Sequence, residues 1–437
     1  MSAPATGAPA PAPARPARRQ IHAVAGCYFV ASFAALGLPP YLTSILPELG
    51  EGAARWAGLL YVVPTVFGAL GAPLWGRLAD RYGRKRLLLR AQLGLAASFL
   101  LAGFADSLEL FAAALVLQGV LGGTFAASNG YLGATLEGAE LSRALTLMQG
   151  SARAALVCAP IVVGALTPWL SPHRQYALLA VLPLAAAGML AALPEPPRCT
   201  APAGTAGAAG ATAAADTLGA AGTATGPDGP AATATQPASP AVSASPVSSP
   251  AALRSLYALE FVFVFSTVIS FPYLLSLVEE RLPGTGPVTS GVLFALPHMC
   301  YLVGAMAAHR FCHRRPRHGL VLGFACIAAG SAGHGAATSL AEFAAVRLVL
   351  GAGLTLGLVA LSVLAAGCAA GRAPGGLFGS IEFFSKAGAV AAGLAAAAGN
   401  AWFGPSAPLL IGTALALATV FVCALPVLRR PRLRRSL

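Results

Sequence analysis

The chain has 437 residues, of which 57% are hydrophobic and only 10% charged, with a mean hydropathy of +0.72 and a net charge of +13. That balance excludes an ordinary soluble domain and points to a polytopic membrane protein, with about 20 apolar residues needed per crossing. The charge does not point to nucleic acid: most of the 28 Lys and Arg fall between apolar runs on one side of the membrane, leaving Arg55, Arg174 and Arg281 on the other. This is positive-inside asymmetry, and it predicts cytoplasmic termini.

In chain order, residues 1–20 form an Ala/Pro-rich tail ending in bases, read as disordered. Residues 21–195 carry six predicted spans, near 21–47, 56–76, 87–105, 109–130, 143–168 and 176–194, the first interrupted by Pro39-Pro40. From 196 to 251 the composition turns to Ala, Thr, Gly, Pro and Ser, which cannot bury enough surface to fold and reads as a cytoplasmic linker. Residues 252–428 give six more spans, near 253–278, 288–309, 319–337, 341–365, 377–398 and 406–427, and 429–437 is a basic tail. The expected fold is therefore all-α, with twelve transmembrane helices in two six-helix halves.

The halves align at an offset of about 232 residues. Leu115 to Gly119 matches Arg347 to Gly351, and Gln149 to Arg153 matches Glu382 to Lys386. The alignment is weak residue by residue, but it sets polar positions at equivalent depths.

Between the second and third spans lies Gly76-Arg77-Leu78-Ala79-Asp80-Arg81-Tyr82-Gly83-Arg84-Lys85-Arg86, continued by Leu87. A basic loop alone would mean only topology. The ordered Gly/Asp/Gly spacing is more specific, and it resembles the signature loop of the major facilitator superfamily. That resemblance implies two parallel six-helix repeats with a substrate site between them near the midplane, and transport by alternating access. It also implies that Gly76, Asp80, Arg81, Gly83, Arg84 and Lys85 gate the transporter. The acid would engage the N-terminus of the helix beginning near Gly376 through the helix dipole. The corresponding segment of the second half, His309 to Gly319, keeps the bases but has no acid.

Ionisable residues inside spans are candidate functional groups, because burying them in lipid is costly. Glu260 in the seventh span and Glu382 in the eleventh are candidate proton-coupling sites. Arg153, Arg347 and Lys386 are candidate substrate contacts together with Gln118 and Gln149, and His298 is a weaker candidate. Glu382 and Lys386 lie on one helical face at i and i+4. They form either a pair that merely neutralises itself or a cavity-lining pair. Glu260 sits either in the cavity or at the membrane edge. Three cations against two carboxylates favour an anionic or zwitterionic solute.

Elements associated with drug/proton antiporters are incomplete. Gln118-Gly119 follow Leu115 where that pattern has Arg, and the fifth-span pattern is reduced to Ala159-Pro160 with Gly164. The resemblance thus implies proton-coupled efflux of drugs or metabolites across a bacterial inner membrane. The segment Ala35 to Leu42 loosely resembles siderophore exporters. Uptake of an organic acid or sugar is a further alternative, and a lipid-binding sensor built on the basic tail is another. A monomer is expected, with the bilayer, protons and a small molecule as its only partners. No P-loop, metal-ligand spacing or nucleophile elbow occurs in the sequence, and the eight cysteines show no CxxC, so no cofactor and no enzymatic activity are expected.

Overall fold

The computed structural model describes residues 18–122, 128, 132, 138–192, 250–369 and 374–428, and the predicted linker and both tails fall almost wholly outside them. The described residues contain helices and turns and no strand. Ten helical segments are long and apolar enough to cross a membrane. The fourth predicted span appears as the shorter apolar helix Leu108–Leu121, and the ninth as Pro316–Gly333.

The first half comprises α1 (Arg18–Gly37), α2 (Leu42–Ile45), α3 (Ala57–Tyr82), α4 (Arg84–Gly103), α5 (Leu108–Leu121), α6 (Gly138–Leu166), α7 (Pro172–Leu179) and α8 (Val181–Ala191). The second comprises α9 (Pro250–Val268), α10 (Leu274–Arg281), α11 (Pro287–Arg314), α12 (Pro316–Gly333), α13 (Leu340–Ala369), α14 (Pro374–Phe403) and α15 (Ala407–Leu428).

Proline dictates where the long apolar runs break. Pro39 and Pro40 lack N–H donors, and α1 stops at Gly37 before a 3-10 turn over Pro39–Tyr41. Two predicted spans are each split in two. The sixth breaks at Ala180, just before Pro183, and the seventh breaks over residues 269–273 around Pro272.

The halves meet along two helix pairs, α6 with α11 and α3 with α14. Both seams rely on small residues, which let helix backbones approach closely in a membrane. A Cβ on Gly291 would collide with the Pro160 carbonyl, and one on Gly164 with that of Pro287. In the other seam, a Cβ on Gly58 would lie 2.7 Å from the Gly393 carbonyl and 2.8 Å from the Ala397 methyl.

All these contacts lie at the end of the bundle remote from the Tyr82–Arg84 loop. The largest buried apolar cluster lies there too. It combines Tyr41, Ile45, Ala159 and Val163 with Ile269, Tyr273, Phe294 and Ala396 from the second half. This end is sealed.

Candidate functional site

Counting back from the seal along α6 and α11 brings Arg153 opposite His298 and Tyr301. Eleven residues separate Arg153 from Gly164 and Pro287 from His298, which is about 16 Å of helix in each case. At that depth the Arg153 Cζ lies 5.6 Å from the centre of the Tyr301 ring, so a first-half cation rests on a second-half aromatic. Arg153 is also within electrostatic range of Tyr28 on α1 and Glu260 on α9.

Glu260 is buried. Its position follows from the packing of α9 on α14. Tyr257, one turn earlier, stacks on Phe384 at 5.1 Å, and the carbonyl of Phe261 lies where a Cβ on Gly388 would come within 2.5 Å. That contact turns Glu260 toward the Ser385 hydroxyl, which donates to it, and within electrostatic range of Glu382. Glu382 interacts in turn with Tyr28 across the interface between halves.

Lys386 Nζ lies 3.3 Å from Glu382 Oε1, with the two side chains 40% and 63% exposed. Glu382 thus links Lys386 on its own helix to the buried Glu260 and to Tyr28 of the other half. The structure therefore brings Arg153, Glu260, Glu382 and Lys386 into one constellation.

Arg347 is placed elsewhere. Only 1% of its surface is exposed, and Nε donates to the Leu293 carbonyl at 2.8 Å and Nη2 to that of Phe294 at 2.9 Å. Leu293 lies four residues before Pro297, inside α11, so no helical N–H is available for its carbonyl. Arg347 supplies the missing donor. Its described hydrogen bonds are those of a backbone prop on another helix, whereas the sequence alone made it a candidate substrate contact. Without it, the described charges of the constellation balance, two against two.

His298 is also buried, edge-on to Phe271 at 6.0 Å, and neither ring nitrogen has a hydrogen-bond partner among the described residues. Gln118 is buried on α5 and Gln149 is exposed on α6. Neither joins the charged constellation through any contact among the described residues.

The signature loop is a sharp joint. Gly83, at φ +98° and ψ 143°, separates α3 from α4, a backbone conformation that residues with a side chain rarely adopt. Arg81 is exposed against the Tyr82 ring. Lys85 Nζ donates to the carbonyl of Ala191 at 3.1 Å, so this cation caps the C-terminus of α8 within its own half.

Two residues that sequence reasoning missed complete the joint. Arg90 stacks 3.3 Å from the centre of the Trp75 ring and donates to Gly122 O at 2.9 Å, while Trp75 Nε1 donates to Val120 O at 2.6 Å. Together they satisfy carbonyls at the C-terminal end of α5 and tie α3, α4 and α5 into one unit. Gly76, Asp80 and Arg84 have helical backbone, but their side chains lie outside the described residues, as does any contact with the start of α14. Tyr301 and Ser385 were also missed. For Tyr301 the available signal was its spacing, i+3 from His298 and on the same helical face.

Comparison with known proteins agrees with this architecture. The chain is similar to Multidrug resistance protein MdtG of Yersinia enterocolitica, 34% identical over 146 residues, covering 32% of this chain and 35% of that protein. The protein of the same name from a Rahnella species is 34% identical over 162 residues, covering 36% and 39%. The chain thus matches little more than a third of the length of these relatives.

Among solved structures, a POT family transporter in complex with a thioalcohol-conjugated peptide superposes with a TM-score of 0.68 at 10% identity, over 94% of this chain and 96% of that one. The human organic anion transporter MFSD10 (TETRAN) gives 0.62 at 18% identity, over 94% and 100%. These likenesses concern the fold. The Major Facilitator Superfamily family model matches residues 24–334, and the chain belongs to that superfamily.

Proposed function

We propose that this protein exports small organic molecules in exchange for protons across a bacterial cytoplasmic membrane. The supporting observation is the constellation at mid-depth. A buried carboxylate, Glu260, lies within electrostatic range of a cation on the opposite half, Arg153, beside the exposed Glu382–Lys386 pair. A carboxylate that trades its proton against occupancy or conformation is the minimum needed for coupling, and Arg153 links that event to the other half.

The two halves, 21–195 and 252–428, would rock about the constellation as a monomer, with the segment 196–251 joining them in the cytoplasm. The distribution of bases supports an orientation with the Tyr82–Arg84 end in the cytoplasm, so the sealed end faces outward. With Arg347 committed to backbone carbonyls and the remaining charges balanced, a neutral or zwitterionic amphipathic cargo suits the site better than a dianion. The similarity to Multidrug resistance protein MdtG favours drug-like cargo, and the siderophore alternative has no supporting observation.

The test is transport in proteoliposomes driven by an imposed pH gradient, using a panel of lipophilic dyes and drugs. Glu260→Gln should abolish gradient-driven transport while leaving equilibrium exchange of cargo intact. Gradient-driven transport at the wild-type rate in both Glu260→Gln and Glu382→Gln would overturn the coupling assignment.

A further inference from the structure

The sealed end contains a repeat that the charged constellation does not use. Pro40-Tyr41-Leu42 recurs as Pro272-Tyr273-Leu274, at the 232-residue offset that relates the halves. Both tyrosines sit just past a proline-broken helix, and each is only 2% exposed.

Their hydroxyls reach equivalent backbone positions on opposite halves. Tyr273 Oη donates to Arg55 O at 3.2 Å and accepts from Gly58 N at 3.1 Å, so it caps an N–H at the start of α3. Tyr41 Oη donates to Pro160 O at 2.6 Å and lies 3.4 Å from Pro287 O. Arg55 and Pro287 are themselves 232 residues apart. The Tyr41 hydroxyl occupies a notch between Gly164 and Gly291, where a Cβ on either glycine would come within 3.0 Å of it.

We propose that Tyr41 and Tyr273 are the gate residues of the transport cycle. They form a crossed pair in which each half's broken helix holds shut a seam of the other half. Opening the sealed end requires α11 to leave α6 and α3 to leave α14, and those movements break both Tyr273 hydrogen bonds and the Tyr41 contact with Pro287 O. Tyr273 is the stronger of the two, because both its bonds cross between halves. The shorter bond of Tyr41 stays within its own half. The proposal rests on alternating access but not on the identity of cargo or coupling ion.

Hydrogen–deuterium exchange on the full-length protein in lipid nanodiscs tests it without any cargo. In Tyr273→Phe, exchange in segments 57–62, 287–293 and 391–399 should rise about fivefold, the effect of one net hydrogen bond on the closed-to-open ratio. Tyr41→Phe should give less, and the double variant roughly the product of the two. Exchange across 374–380, at the opposite end of α14, should fall in the same variants, because one end closes as the other opens.

A purely structural role would raise exchange at both ends, and that result overturns the proposal. So does wild-type exchange at the sealed end in the double variant. Tyr176→Phe removes a hydroxyl buried within the first half alone and should leave the sealed-end segments unchanged. Loss of transport with intact reciprocal exchange would refute the cargo or coupling assignment and leave the gate standing.

Discussion

Replacing Arg347 by Met separates a prop from a substrate contact, because the two roles predict different measurements. Met matches the length of the arginine stem but leaves the carbonyls of Leu293 and Phe294 without the donors at 2.8 and 2.9 Å. Phe294 O retains the helical N–H of residue 298, so the main loss falls on Leu293 O, which Pro297 has already deprived of its own partner. An orphaned buried acceptor costs about 1–3 kcal/mol. Relief of guanidinium desolvation offsets part of this, leaving a net destabilisation of about 1–2 kcal/mol. For a domain of this size that corresponds to a Tm about 2–8 °C lower.

The decisive variant is Pro297→Ala. It restores an N–H to Leu293 O, so Arg347→Met should cost less in that background, with a coupling of about 1 kcal/mol in the double-mutant cycle. Thermal unfolding of the four purified proteins in one detergent gives all the values required. Additive effects would refute the prop. A raised KM for cargo with unchanged stability would restore Arg347 to the substrate site.

Gly291→Val should prevent the sealed end from closing, because its Cβ already collides with Pro160 O. Electron–electron distances between spin labels on α6 and α11 should then show only the separated state. Gly83→Ala forces a side chain into φ +98° and should cost about 1–3 kcal/mol, read as a lower Tm without loss of cargo affinity. Lys85→Met removes the cap on the C-terminus of α8 and should cost about 0.3–1 kcal/mol, with faster amide exchange confined to the last turn of that helix. Lys386→Met leaves Glu382 without its 3.3 Å partner and should slow gradient-driven transport while the fold persists. An unchanged rate would make the pair a bystander.

Much of the fold was legible because apolar runs of membrane length admit few readings, and the 232-residue offset already implied two related halves. Prolines set the limit. Pro183 and Pro272 lie in runs that read as single spans, and only the folded chain shows that each divides a helix. The charged site was partly legible for a similar reason: a carboxylate or guanidinium in an apolar run must be satisfied somehow.

Sequence cannot say by what. Arg153 finds a tyrosine ring and a carboxylate across the interface, whereas Arg347 finds two carbonyls on a neighbouring helix. The difference lies in the register of α11, which no single segment encodes. The Pro-Tyr-Leu repeat stands in the sequence, but tyrosine carries no charge, and only the fold shows which backbone groups its hydroxyl reaches.

The seal has a further consequence in its asymmetry. On the α3 side Tyr273 is held by two cross-half bonds, while on the α6 side Tyr41 reaches the other half only at 3.4 Å. The two flanks are therefore held by different means: the α3 flank by a hydroxyl that bonds only across the halves, the α6 flank by the close fit of Gly164 and Gly291 against opposing carbonyls. Loss of one hydroxyl loosens the first, whereas the second responds to side-chain volume at a single glycine.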